Sequence, residues 1–246
     1  MTKFEYMRSL ILFLLMLEFA LPIKAQTQET IIQNHLKAIG GESNWTKVKS
    51  VLIEYQIASD AGTMKVSRKI IRNKSYRNDF KFESRVPAYK DHEFYILYTP
   101  QGGWKYMPDT RDKVEGMDSS ELEVAKIDLD YDDPFIAYRE KGINIQMMDL
   151  MYEGEKEYFK FQIHYPSGRS FICLLDTKTY LIRRMTEVNT DADNNKIFDD
   201  YRPTPEGLIF PRSITGSFGE QLITLIKINP VFPESTFKVT PPVNFR

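Results

Sequence analysis

Three histidines, one cysteine and an ordinary supply of carboxylates are what the 246-residue sequence offers for acid-base, nucleophilic or metal chemistry. Their spacing brings few of them together. His35, His92 and His164 stand far apart, and His35 falls on an apolar stripe with no second ligand a turn away, so it reads as a packed residue. The lone Cys173 excludes an internal disulfide and a four-cysteine zinc site. Lying in an apolar segment with no base cued nearby, it reads as a buried spectator. Asp91, His92 and Glu93 crowd titratable groups, but successive residues of a strand point to opposite faces and cannot share one substrate. The segments beginning Asp128-Leu-Asp130-Tyr-Asp132 and Asp191-Ala-Asp193-Asn-Asn195 start like calcium loops. Both then place Asp133 or Lys196 where glycine is required, and Arg139 or Arg202 where glutamate is required. The pairs Gly40-Gly41 and Gly102-Gly103 lack phosphate-loop spacing and read as turns. The expectation is a protein with no catalytic residue, no metal and no cofactor, and not an enzyme.

Charge narrows the partners. Lys+Arg 33 against Asp+Glu 34 leaves no basic excess and no local patch to neutralise a phosphate backbone, so no nucleic acid is expected. Residues 1–25 carry Lys3, Glu5 and Arg8, then the apolar run Leu10 to Leu17, then Pro22-Ile-Lys-Ala25. The run is shorter than the ~20 residues needed to span a bilayer, and the pattern is that of a cleaved signal peptide. No cysteine follows it for lipid attachment. Export without a disulfide pair fits a bacterial periplasm, and the mature chain, 26–246, is expected to be a soluble monomer of one domain.

The elements follow from periodicity. Ile31, Ile32, His35, Leu36 and Ile39 recur at helical spacing and Gly40-Gly41 stops the helix. From Val51 the period becomes two. Ile53, Tyr55 and Ile57 share one face, as do Met64, Val66 and Ile70, and then Tyr76, Phe80 and Phe82. Phe94 to Thr99, which includes Ile96, is apolar on both sides and is expected to be a central strand, turning through Gly102-Gly103 into Trp104. Asp118 and Glu121 form a capping box for a helix to about Leu129, and Asp133-Pro134 opens a second helical stretch ending near Gly142. Strands at hairpin spacing follow, including Ile145 and Met147, Phe159 and Phe161, and Phe171 and Cys173.

Such a sheet, apolar on one face, must curl or be covered. The expected fold is mainly β (α+β): a large curved antiparallel sheet forming an unclosed barrel, with a few helices over its concave face. Ile53, Tyr55, Val66, Phe80, Phe82, Ile96, Trp104, Ile145, Met147, Phe159 and Phe161 are the residues expected to line the hollow. Pattern alone leaves open whether that hollow is a filled core or a ligand cavity. A chain of about fourteen methylenes gains on the order of 11 kcal/mol on leaving water, at ~0.8 kcal/mol each, so a carrier of acyl chains needs an enclosed site.

Several ordered pieces resemble the LolA-like outer-membrane lipoprotein-sorting proteins, in the variety common in Bacteroidetes. They are Ala38-Ile39-Gly40-Gly41 followed by Trp45, Val48, Lys49 and Ser50; Gly103-Trp104; Asp133-Pro134 with Lys141-Gly142; and Leu175-Asp176-Thr177-Lys178-Thr179-Tyr180-Leu181-Ile182. Phe198-Asp199-Asp200-Tyr201-Arg202, Glu206-Gly207-Leu208-Ile209-Phe210-Pro211 and Ile226-Lys227-Ile228-Asn229 with Phe237 complete them. The pieces themselves read as turn and packing elements. The resemblance implies a periplasmic carrier holding the acyl chains of lipoproteins or other envelope lipids, passed from an inner-membrane donor toward an outer-membrane acceptor. It also implies an inward arginine tying the lid, for which Arg68 and Arg184 are the candidates. A sensor or interaction module with a filled core is the second reading, and an enzyme acting on envelope lipids the third.

Overall fold

The structure is a computed structural model and describes residues 26–85, 92–107, 113–188 and 194–239. The expected signal peptide, Asp91 and the tip Asp191–Asp193 lie outside them. Helix α1 (Gln28–Ala38) begins at Thr27, whose side chain accepts from the Thr30 amide, and ends where the Gly41 amide returns to the Leu36 carbonyl at 2.8 Å. A single turn, α2 (Glu42–Trp45), follows. Then come β1 (Ser50–Ser59), β2 (Gly62–Ile71), β3 (Ser75–Ser84), β4 (His92–Thr99), β5 (Gly102–Tyr106) and the short β6 (Glu115–Gly116).

Helix α3 (Ser119–Asp128) carries the expected capping box. The Glu121 amide donates to Asp118 Oδ1 at 2.9 Å and the Asp118 amide to Glu121 Oε2 at 3.0 Å. The stretch after Asp133-Pro134 is a series of turns and not a second helix, since Ala137 takes a positive φ of 48° that no helix propagates. The chain continues through β7 (Asn144–Met147), β8 (Met151–Glu153), β9 (Lys156–His164), β10 (Ser170–Asp176), β11 (Ile182–Val188) and β12 (Asn195–Asp199). The ribbon of β13 (Arg202–Pro203) and β14 (Ile209–Phe210), then β15 (Ser213–Gly216), β16 (Gly219–Ile228) and a 3-10 turn at Glu234–Phe237, complete it.

One 14-stranded antiparallel sheet runs in the order β6-β5-β4-β3-β2-β1-β16-β15-β12-β11-β10-β9-β7, with β8 on the margin of β9. Its end strands do not meet, so the barrel is unclosed. Register slips at Glu54/Tyr55 and at Leu174/Leu175 add the local twist that lets so wide a sheet curl. Strand β4 is buried on its outer face, at Tyr95 and Leu97, but only partly on its inner face, and it stands near one margin and not at the centre. Its outer cover is the C-terminal turn, held by Arg77, which donates to the carbonyls of Lys238 at 3.0 Å and Thr236 at 3.4 Å.

Several pieces that were separate in sequence meet in space. Trp45 donates to the Ile39 carbonyl at 2.9 Å and packs on Phe210, and the Ile209 amide donates to the same Ile39 carbonyl. Gly40, at φ 104°, lies so close to Gly207 that a Cβ there would come within 2.4 Å of its carbonyl oxygen; only glycine fits.

Candidate functional site

Register assigns the faces. Val51, Ile53, Tyr55 and Ile57 of β1 pair with Ile70, Arg68, Val66 and Met64 of β2, which pair in turn with Tyr76, Asn78, Phe80 and Phe82 of β3. Phe80, Asn78 and Tyr76 then face Phe94, Ile96 and Tyr98 of β4. Because directly paired residues point the same way, this whole block shares the concave face. At the other end of the sheet the same face carries Ile145, Met147, Phe159, Phe161, Ile163, Cys173 and Leu175.

Two packed clusters occupy parts of this face. The larger one lies under α1, where Ile31, Ile32, Leu36 and Ile39 join Phe135, Ile136, Phe161, Ile163, Cys173 and Leu175. Phe135 meets Phe161 edge-on at 5.3 Å between ring centroids. His35 is fully buried here, its Nδ1 2.6 Å from the Tyr180 carbonyl and its Nε2 3.0 Å from Asp133 Oδ1, the latter a contact short of good hydrogen-bond alignment. A carbonyl can only accept, so Nδ1 carries a proton; Nε2 then faces a carboxylate and requires a second. Burial alone would depress the imidazole pKa, but the Asp133 charge and the bonds to Asp133 and Tyr180 outweigh it and hold the pKa above the usual histidine value. The surroundings of His35 thus favour its protonated form. Cys173 lies in the same cluster, its thiol pushed far up by burial and then by Asp133, which is the wrong direction for a nucleophile.

The smaller cluster joins Ile70, Tyr76 and Tyr98 to Ala125 of α3 and to Leu129, with Leu122 and Met117 alongside. A Cβ on Gly103 would strike Met117 and Leu122, so this glycine lets the α3 segment sit directly on β5. Lys105 of β5 reaches Glu121 of α3 at 2.5 Å. Beyond α3 the chain is pinned: Asp132 pairs with Arg72 and, at 2.8 Å, with Lys141, while Tyr131 donates to the Val48 carbonyl at 2.9 Å. Burial pushes the Tyr131 hydroxyl up to about 12. Asp130 and Asp132 of the calcium-like pattern are therefore engaged by cations. Among the described residues, no group of His, Cys, Asp or Glu is placed to hold a metal.

Beyond both clusters, further along the same strands, lies the candidate site. Among the described residues, Tyr55, Ile57, Met64, Val66, Phe80, Phe82 and Phe94 belong to neither cluster. Tyr55 and Val66 are buried, whereas Ile57, Met64, Phe80, Phe82 and Phe94 remain partly exposed. Phe80 and Phe94 stack at 4.6 Å. Arg68 projects from the same face, its Nε donating to Asn78 Oδ1 at 3.0 Å and its guanidinium lying 5.6 Å from the Tyr55 ring centre. The described side chains of the floor are apolar apart from the Arg68–Asn78 pair and the Tyr55 hydroxyl.

The structure divides the sequence-derived site residues. Ile53, Tyr55, Val66, Phe80, Phe82 and Ile96 come together on this floor, with Ile53 and Ile96 at its margins against the two clusters. Ile145, Phe159 and Phe161 are buried in the core under α1 and do not line an open hollow, because α1 and Phe135 fill that space. Met147 leans on the same core and borders a separate open pocket of about 600 Å³ at the β7–β8 turn, shared with Met148, Leu150 and Met151. Trp104 pairs with Leu97 and therefore stands on the convex face, its neighbour Lys105 being the inward residue. Arg184 pairs with Leu174, also on the convex face, and forms an ion pair with Glu153 at 2.5 Å; it cannot tie the lid. Arg68 is inward, and its hydrogen bonds run to Asn78 and Tyr55 of the sheet. The observed tie is Lys105–Glu121, which sequence reasoning missed because placing Trp104 inward put Lys105 outward. Ile57, Met64 and Phe94 were also missed as site residues, although the two-residue period already placed Ile57 with Tyr55 and Met64 with Val66.

No family model matches the chain, and no curated protein matches it. Solved structures do. A domain assigned to outer membrane lipoprotein sorting from Vibrio parahaemolyticus is similar at 14% identity and TM-score 0.52, covering 84% of this chain and 94% of that one. A LolA superfamily protein from Nitrosomonas europaea is similar at 11% identity and TM-score 0.51, covering 87% and 99%. A DUF1329 family protein from Desulfovibrio piger is similar at 9% identity and TM-score 0.53, covering 87% and 98%. The chain has the LolA-type fold, over nearly the full length of each.

Proposed function

We propose that this protein is a non-enzymatic carrier that holds acyl chains, of lipoproteins or of other envelope lipids, against the concave face of β1–β4 beneath α3. The observation that carries this reading is the patch of Ile57, Met64, Phe80, Phe82 and Phe94, apolar residues left partly exposed beyond the two packed clusters. A merely structural sheet gains by covering such residues, since each large apolar side chain fully buried contributes about 1.5–3 kcal/mol. The lipoprotein-sorting description of the Vibrio parahaemolyticus domain supports the same reading through the shared fold. Export to the periplasm by a cleaved signal peptide, action as a monomer, and exchange with an inner-membrane donor and an outer-membrane acceptor complete the proposal.

Lid α3 suits a transient hold. Among the described side chains it meets the sheet through Leu122, Ala125 and the partly exposed Lys105–Glu121 ion pair, a small set of contacts to release. Native mass spectrometry and organic extraction of protein purified from its own periplasm test the function. Co-purified acyl lipid is expected. Protein that emerges empty and gives no protection to a fluorescent fatty acid contradicts it.

A further inference from the structure

Resting on the carrier reading, we infer that the ligand of the concave face carries an anionic group, a carboxylate or a phosphate, and that Arg68 is the residue that seats it. The cations of β2 and β3 divide sharply by face. Lys65, Lys69, Arg77 and Lys81 all stand on the convex side, with carboxylates at 2.7 Å (Glu83), 2.5 Å (Asp79), 2.6 Å (Asp79) and 3.5 Å (Glu93) respectively. Arg68 alone among them points into the concavity, and no carboxylate of the described residues approaches it. Its Nε donates to the neutral Asn78 at 3.0 Å and one terminal nitrogen reaches the Tyr55 hydroxyl only at 3.5 Å.

Guanidinium offers five N–H donors in a planar fork that matches carboxylate and phosphate oxygens. Here the Asn78 bond fixes the fork through Nε and leaves the terminal nitrogens weakly engaged. Asn78 and Tyr55 are both buried, so the fork is positioned by rigid neighbours. Apolar Ile53, Val66 and Ile70 surround it on the same face. A cation so placed, half-buried and without a counter-charge among the described residues, is stabilised when a ligand supplies one. Since Phe80, Phe82 and Met64 continue the floor on one side, the ligand's chain lies along them with its charged end at Arg68. Fatty carboxylates and alkyl phosphates share this chemistry.

Binding of palmitate, hexadecyl phosphate and uncharged hexadecanol to the full mature protein tests the inference, by competition with a fluorescent fatty acid. Both anionic amphiphiles are expected to bind at least about tenfold more tightly than hexadecanol. In Arg68→Met that preference should collapse to about onefold. Arg68→Lys should restore part of it, and Arg184→Met, on the convex face, should leave it intact. Because the readout is a ratio within one folded protein, a general loss of stability does not mimic it. Equal binding of charged and uncharged chains by the unaltered protein, or a preference that survives Arg68→Met, overturns the role of Arg68 while leaving the carrier reading standing. Competition by inorganic phosphate alone at the same concentration would assign Arg68 to a free anion and overturn the amphiphile. Failure of all three probes to bind rejects the carrier reading itself.

Discussion

Under β7, β9, β10 and β11, helix α1 drives Ile31, Ile32 and Leu36 into the concave face, and Phe161 and Ile163 lose all contact with solvent. Under β2–β5, helix α3 brings Leu122 and Ala125, and Phe80, Phe82 and Phe94 keep part of their surface accessible. Both halves belong to one sheet with one apolar face, so the difference lies in the covering helices. α1 presents a wide stripe at 31, 32, 35, 36 and 39 and adds a buried imidazole between Asp133 and the Tyr180 carbonyl. α3 rests on a glycine-made flat at Gly103 and on one ion pair. On the proposed function, the first half stays shut and the second opens, the division of labour a carrier needs.

Mutations sharpen this contrast. Phe161→Ala, in the closed half, is expected to cost about 4 kcal/mol of unfolding free energy in urea titration. Next, His35→Phe should cost about 3 kcal/mol by stranding Asp133 and the Tyr180 carbonyl. The same pair predicts a pH dependence. The folded imidazole pKa is raised above its unfolded value of about 6.5, so its stabilisation is complete below about pH 6.5 and fades as the pH rises through the folded pKa. Thermal melts should show that decline, and Asp133→Asn should flatten it; a melt profile unaltered by the substitution would break the assignment of His35 as a cation.

In the open half the order of effects reverses. Phe82→Asp should change stability by no more than about 1 kcal/mol, yet weaken a fluorescent fatty acid by more than about tenfold. Smallest of all, Lys105→Met should leave affinity nearly constant and speed release of the probe by roughly threefold in stopped-flow, since an exposed ion pair holds the lid only weakly. If Phe82→Asp were as destabilising as Phe161→Ala, the two halves would not differ in kind.

Much of this was legible from residue order. The period-two runs from Val51 to Phe82 defined the strands and their inward face, the 31–39 stripe defined α1, and Asp118 with Glu121 marked the start of α3. Three things were not. Phe94 to Thr99 is apolar on both faces, so alternation could not say which side Trp104 of the next strand takes; the C-terminal turn covering the outer side is remote in sequence. Nor does periodicity tell whether an inward residue meets a helix or a ligand, which is why Ile145, Phe159 and Phe161 looked no different from Phe80 and Phe82. Lastly, a lid tie between Lys105 and Glu121 depends on a crossing of β5 and α3 that local pattern does not encode.

The most direct measurement is photocrosslinking with a diazirine-bearing palmitate followed by peptide mapping of the full mature protein. Adducts confined to the concave residues of β1–β4, on Tyr55, Met64, Phe80, Phe82 or Phe94, are the predicted result. Adducts concentrated on β9 and β10, or spread evenly over both faces of the sheet, would contradict it.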